Sequence, residues 1–277
     1  MSPRQRLQAD LGLSPDEVLA VLREGELELE ARILPASNVT VVASASLDRR
    51  HLRCVYKPVS GERPLWDFPD GSLAGREVAA YLVSESLGWD VVPLTVERDG
   101  PLGPGMVQVW REPDHDQDPI DVVPEGEIPD GYLRVLDAAD GDGHPVSLVH
   151  EDSAALRRMA VFDAVVNNAD RKGGHVLAMA DGHRYGVDHG VCFHEDPKLR
   201  TVLWGWATLR LRQEDRDGLT RLTGELSDPD GALLQALEQR LSDAEVAALR
   251  TRCEDLLHHD RMPLPSGDWP AIPWPAF

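Results

Sequence analysis

Asp170, His175 and Asp188 fall within one glycine-punctuated stretch, NNADRKGGHVLAMADGHRYGVDHG (167–190), and their types can do chemistry if folding brings them together. VLAM and RYGVD read as strands, and the ADGH between them contains the Asp-Gly pair that favours a tight hairpin. In an antiparallel hairpin the residues before the first strand and after the second meet at the open end, so two carboxylates and an imidazole should converge there. Like-charge repulsion disfavours that gathering unless a cation or a shared proton compensates. A divalent metal is the simplest compensator: oxygen ligands suit Mg²⁺ or Mn²⁺, and the imidazole tilts the choice away from a purely Mg²⁺ site. The bland alternative is a set of solvated residues at the end of a surface hairpin.

Several elements must position this stretch. DSAALRRMAVFDAVVNN is the strongest helix pattern in the chain, and it delivers the backbone into the hairpin; Asp163 on it either bonds the following loop or faces water. Near the N-terminus, Ser14-Pro15-Asp16-Glu17 predicts a capped helix ended by Gly25. ELEARI and VTVVASASL predict two antiparallel strands around LPASN. HLRCVYKP predicts a third, with Leu52, Cys54 and Tyr56 on one face and Arg53, Val55 and Lys57 on the other. A proline- and glycine-rich loop (58–73) leads into AGREVAAYLVSESLGW, a helix ending at Gly88, and two more strands follow around DGPLGPG. From Pro113 to Val149 acids, prolines and glycines predict a loop-rich passage with a short helix near YLRVLDAA. Further helices are expected at 213–223, 229–240 and, capped by Ser242, 243–258. The tail RMPLPSGDWPAIPWPAF is too proline-rich for helix or central strand and reads as an extended segment packed on the body through Trp269, Ile272, Trp274 and Phe277.

Composition limits the partners. The 277 residues allow one large domain or two lobes. Forty-eight acidic against 28 basic residues give a net charge of −20, which repels nucleic acid and anionic membrane, and no local basic patch offsets it. The first residues lack the apolar core of a secretory signal, and three widely spaced cysteines suit reduced thiols, so a cytoplasmic location is expected.

Taken in order, these segments resemble the phosphatidylinositol 3- and 4-kinase-like catalytic domains, especially their bacterial members, within the protein-kinase-like superfamily. Asp170-Arg171-Lys172-Gly173-Gly174-His175 fills the family's D-R-x-x-x-N catalytic loop except at its last position, and Asp188-His189-Gly190 fills its D-x-G metal motif. VYKP supplies Lys57, and GREVAAYL supplies Glu77 on the following helix. The resemblance covers roughly residues 26–210. It implies an α+β, two-lobed kinase-like fold: an N-terminal helical extension (1–25), an antiparallel-sheet N-lobe with one main helix (26–112), a mainly helical C-lobe (113–262) and the tail (263–277). It also implies ATP and Mg²⁺ or Mn²⁺ between the lobes. Lys57 would bind the α/β-phosphates, oriented by Glu77. Asp170, with Arg171 beside it, would serve the acceptor's proton, and Asp188 and His175 would hold metal. Ser37 and Asn38 would lie over the phosphates. Gln108, Val109 and Trp110 would form the hinge against adenine, with Val42, Val55 and Met106 as apolar walls.

His175 stands where that family usually has asparagine, so either the metal preference shifts or one metal site is lost. The stretch after the metal motif, VCFHEDPKLRTVLWGW, has only Lys198 and Arg200 beside Glu195 and Asp196, which favours a protein or soluble small molecule over a lipid as the hydroxyl-bearing acceptor. Two other readings compete: a nucleotide-binding pseudokinase regulating a partner, and a metal-dependent hydrolase built on His175, His183, Asp188, His189 and His194.

Overall fold

The structure, a computed structural model, describes residues 5–7, 11–33, 38–69, 71–267 and 270–277. It is a mixed α/β chain built on antiparallel sheets. Strands β1 (Glu26–Arg32), β2 (Val41–Leu47), β3 (Arg50–Pro58), β4 (Thr95–Gly100) and β5 (Gly103–Val109) form one five-stranded sheet in the order β1-β2-β3-β5-β4. Alternation along β3 buries Leu52, Cys54 and Tyr56 and leaves Lys57 on the opposite face. Helix α1 (Pro15–Glu24) is opened by a Ser14–Glu17 capping box and packs Val18, Val21 and Leu22 onto the buried face of the sheet.

Helix α2 (Leu73–Leu87) ends at Gly88 in the left-handed conformation and is buried on most of its circumference. Ala74 and Val78 meet Met106 of β5, whereas Ala79, Ala80, Val83 and Leu87 join a larger core. That core is built mainly by α3 (Ala154–Val166), α4 (Gln213–Leu226), α5 (Ala232–Glu238) and α6 (Asp243–His259), with Ser242 capping α6. Because α2 belongs to both cores, its Glu77 is fixed relative to sheet and helices at once. Arg76, next to it, reinforces this: it is almost fully buried, donates to Glu245 of α6 at 2.5 Å and to the Cys192 carbonyl at 2.7 Å.

Two expectations need correction. The passage after Pro113 is not loop with a short helix: β6 (Ile120–Pro124), β7 (Tyr132–Ala139) and β8 (Pro145–Glu151) make a second antiparallel sheet, ordered β6-β8-β7. YLRVLDAA is β7, so the half expected to be mainly helical carries a sheet of its own. Its leucines and alanines favour helix locally, but pairing with all of β8 from Glu151 to Pro145 overrides that preference. The tail also differs. Ile272 and Ala276 pack on the core and the half-exposed Phe277 ring lies against Gly173, but Trp274 is 90% exposed. The tail is held chiefly by its backbone: the Ala271 carbonyl accepts from the Thr201 amide and the Trp204 indole, and the Ala276 carbonyl from Gly173. Trp269 lies outside the described residues. Among the described residues no helix is long and apolar enough to cross a membrane, and all three cysteines are free thiols.

Strands β9 (Val176–Ala178) and β10 (Arg184–Gly186) form the hairpin, with Gly182 at positive φ in its turn. Its turn end is anchored by His183, whose Nε2 lies 2.7 Å from the Asp90 carbonyl, within a buried group that also holds Arg6, which reaches out to the exposed Asp181. Burial lowers the His183 pKa from 6.5 to about 4. Its stabilising contribution is therefore complete above pH 6.5 and falls away as pH drops from 6.5 toward 4, because the unfolded chain takes up the proton first. Urea titrations of the wild type should lose about 2 kcal/mol more between pH 7.5 and pH 5 than those of His183→Gln. Parallel losses in the two proteins would remove His183 as the cause.

Candidate functional site

The catalytic-loop stretch begins where α3 stops. Asn167 takes the left-handed C-cap conformation, and its side chain reaches the carbonyls of His194 and Asp196 while accepting from the Lys198 amide. Asn168 bonds Asp163 through its amide group at 3.0 Å and accepts the Asp170 amide at 2.9 Å. Asp163 thus faces the loop and not water: it is wholly buried and also accepts from Thr201 and from Arg171.

Arg171 has no solvent exposure. Its guanidinium forms an ion pair with Asp163 at 2.9 Å and donates to the His175 and Val187 carbonyls and to His189 Nε2. Gly186 makes room for it, since a Cβ there would come within 2.9 Å of Arg171 Nη2. The arginine next to Asp170 therefore binds elements to one another, and its side chain has no opening toward a ligand. Asp170 itself is partly exposed, with Lys172 Nζ 3.3 Å from its carboxylate.

At the open end of the hairpin His175 Nε2 stands 3.4 Å from Asp188 Oδ2. The other Asp188 oxygen is 2.8 Å from Lys57 Nζ, which also lies 2.5 Å from Glu77 Oε1. Glu77 Oε2 accepts the His189 amide at 2.9 Å, so the buried carboxylate is tied both to the sheet through Lys57 and to the backbone that follows Asp188. Asp188 adopts φ 62°, a sparsely populated conformation for a residue other than glycine. Lys57 holds the Asp188 carboxyl well below its ordinary range. Burial works against the Lys57 ammonium, but Asp188 and Glu77 together keep its pKa above the usual value. Burial lowers the pKa of His175, which favours neutral imidazole, and its Nδ1 is buried without a hydrogen-bond partner.

These groups edge a cavity of about 410 Å³. The five-stranded sheet contributes Val55, Lys57, Gln108 and Val109, Trp110 continues that wall, and the hairpin side contributes His175, Leu177, Val187 and Asp188. The expected hinge residues are therefore present, but the Val109 amide already donates to Leu94 and the Trp110 amide to Arg53. The Gln108 side chain donates to Thr95 at 2.8 Å. Of the expected walls, Val55 lines the cavity, Met106 is buried behind it against α2, and Val42 is buried within the sheet. Asn38 is not in the lining; its side-chain oxygen accepts the Arg63 amide. Ser37 lies outside the described residues.

Several lining residues escaped sequence reasoning. Ile33 and Thr40 flank the first strand turn, and Leu177 and Val187 come from the hairpin. Leu177 could have been found, since strand alternation puts it opposite the buried Val176 and Ala178. Asp170 does not join His175 and Asp188 in a three-ligand group among the described residues. The single such group there is Asp140, Asp142 and His144, exposed in the β7–β8 turn. The five residues of the hydrolase reading do not form one site: His175 and Asp188 meet, but His183 is held by Asp90, His194 accepts the Asp196 amide beside Phe68, and His189 is buried against Arg171.

No protein-family model matches the chain. Protein Rv2133c of Mycobacterium tuberculosis (strain ATCC 25618 / H37Rv) is 52% identical over 271 residues, an alignment covering 95% of this chain and 96% of that protein. Among solved structures, the crystal structure of a Helicobacter pylori proinflammatory kinase, CtkA, superposes with a TM-score of 0.39 at 13% identity, covering 85% of this chain and 97% of that one.

Removing the charge of Asp163 would leave the Arg171 cation buried without its partner. Asp163→Asn is expected to cost roughly 3–5 kcal/mol in chemical denaturation, with Asp163→Leu/Arg171→Met recovering a large part of it. A single variant as stable as wild type would deny the pair its organising role.

Proposed function

The chain belongs to the same family as Protein Rv2133c of Mycobacterium tuberculosis, and we propose that it is an ATP-dependent phosphotransferase of the phosphatidylinositol 3-/4-kinase-like type. In this reading it has two lobes, binds ATP and a divalent metal in the cleft between sheet and hairpin, and phosphorylates a hydroxyl on a protein or a soluble small molecule. The observation that carries the proposal is Lys57, held between Glu77 at 2.5 Å and Asp188 at 2.8 Å at the edge of a cavity of about 410 Å³. An ammonium fixed in that way is a phosphate-binding group awaiting its anion.

The chemistry asks for positioning and charge neutralisation more than covalent work by the protein. Glu77, almost fully buried, keeps Lys57 in place, whereas Asp188 is about half exposed and can exchange the lysine for another cation. With Asp188 so engaged, Lys57, still held by Glu77, would be free to bind phosphate oxygens. The donor set suits one divalent ion: an ionised carboxylate from Asp188 and the neutral imidazole of His175 leave the remaining positions to phosphate oxygens and water. When bound, such an ion would neutralise phosphate charge, and the imidazole favours Mn²⁺ over Mg²⁺. Asp170, partly exposed beside Lys172, would accept or orient the proton of the acceptor hydroxyl. Arg171 would act by holding the loop and not by touching substrate.

His175 in place of the usual asparagine also supports a second reading, a nucleotide-binding pseudokinase that regulates a partner. ATP binding and turnover, each measured with Mg²⁺ and with Mn²⁺, separate the two. Lys57→Met and Asp188→Ala should each weaken metal-dependent ATP binding by tenfold or more, equivalent to about 1.4 kcal/mol. Asp170→Asn should keep binding and lower transfer by about 10²- to 10⁴-fold. Tight ATP binding with no transfer across a panel of protein and small-molecule acceptors would select the pseudokinase. Phosphate release indifferent to Lys57→Met would select a hydrolase.

Turnover with Mn²⁺ is further expected to exceed that with Mg²⁺, and His175→Asn should reverse the order. An unchanged metal preference in that variant would separate His175 from the metal.

A further inference from the structure

Residues 270–277 lie along two segments that come together beside Asp170. The loop that follows Asp170 pairs with the segment around Thr201: the Arg171 amide donates to the Arg200 carbonyl and the Val202 amide to the Arg171 carbonyl. The tail takes one further amide from each. Gly173 donates to the Ala276 carbonyl at 2.8 Å and Thr201 to the Ala271 carbonyl at 3.0 Å, and the Trp204 indole adds a bond to Ala271 at 2.9 Å. The Phe277 ring covers Gly173 so closely that a Cβ there would collide with it. Main-chain bonds of this kind are how an extended peptide is added to an exposed backbone edge.

The tail has the character of a displaceable occupant. Pro270, Pro273 and Pro275 have no N–H to give. Ile272 and Ala276 pack on the core, but Trp274 is exposed and Phe277 half exposed. The stretch PAIPWPAF (270–277) contains no Ser, Thr or Tyr, so it sits three residues from Asp170 with no hydroxyl to offer. Gly174 and His175 of the same loop line the cavity of about 410 Å³, whereas none of the tail does, so the tail meets the loop outside that cavity.

Building on the phosphotransfer reading, we propose that Gly173 and the 201–204 segment form the acceptor groove, that its acceptor is an extended protein segment bearing Ser, Thr or Tyr, and that the tail fills it as an autoinhibitory strap. On that reading the γ-phosphoryl group leaves ADP for the acceptor oxygen while the hydroxyl proton passes to Asp170. A strap without a hydroxyl stalls this step and leaves ATP free to bind.

Hydrogen exchange and phosphate transfer, both on the full chain, test the assignment, with Ile272→Asp/Phe277→Ala as the released form. The Gly173 and Thr201 amides should exchange about tenfold faster or more in that variant, the worth of the carbonyl partners they lose. Transfer from ATP to a library of Ser-, Thr- and Tyr-containing peptides should rise about tenfold, with ATP affinity within about twofold of wild type. The synthetic peptide PAIPWPAF, added to the released form, should restore slow exchange and compete with the acceptor peptide but not with ATP. Phe277→Ala alone, at a half-exposed position, should shift exchange at Gly173 and transfer in the same direction by a smaller factor, and decides the matter if the double variant does not fold. Unchanged exchange at both amides, or faster exchange with no gain in transfer, overturns the strap and leaves the phosphotransfer reading standing. A gain confined to small-molecule hydroxyls overturns the peptide acceptor. Absence of ATP binding in both proteins overturns the phosphotransfer reading and this inference with it.

Discussion

Arg171 places a guanidinium with no solvent contact among four separate pieces of backbone and side chain. Asp163 of α3 neutralises it, the His175 and Val187 carbonyls bring in both ends of the hairpin, and His189 joins the motif that contains Asp188. The backbone of Arg171 extends the same junction, its amide donating to Arg200 and its carbonyl accepting from Val202. Desolvating an arginine is expensive, and the cost is offset only when most of its donors are satisfied in good geometry. That requirement makes the junction nearly all-or-none: helix end, hairpin and the Asp188–Gly190 segment take their places together. Asp170, His175 and Asp188 are held as a consequence, each next to a residue whose main chain is already bonded.

The charges in the cleft are arranged unequally. Lys57 faces one carboxylate that is almost fully buried and one that is 51% exposed. The buried partner, Glu77, is further fixed by the His189 amide and by a helix shared between two cores, so it cannot follow a departing lysine. The exposed partner can be shared with a solvent-borne cation. A chain of net charge −20 would repel a polyphosphate at long range, and only a local, pre-positioned cation can reverse that at contact distance. On the proposed reading Lys57 would meet that need, since Glu77 and Asp188 already compensate its desolvation.

Much of this was legible in the residues. Period-2 alternation in HLRCVYKP put Lys57 on the face away from the core, and the Ser14–Glu17 box and the Ser242 cap marked helix starts that the structure has. The hairpin and the meeting of His175 with Asp188 followed from strand pairing alone. What could not be read was decided by tertiary pairing. YLRVLDAA looks helical until β8 is laid beside it, and an acid-rich flank disguises the sheet it belongs to. Arg171 looked like a companion of Asp170 because sequence adjacency says nothing about which way a side chain turns; the opening that receives it is made by Gly186, on another strand. Trp274 looked like an anchor, yet the tail is fastened by its carbonyls and leaves the indole outside.

The position of His175 shows how far local constraint reaches into chemistry. Its carbonyl is held by the Arg171 guanidinium and by the Val187 amide, so the main chain there is set by the junction and not by the ring. The ring could then be exchanged without disturbing the hairpin. Its Nε2 points to Asp188, its Nδ1 is buried without a partner, and burial favours the neutral form, the one able to donate a lone pair. A carboxamide at the same position would offer an oxygen from the same backbone. On the proposed reading, the exchange would alter the hardness of one ligand while leaving the geometry of the junction intact, a change that would move metal preference before it moved fold.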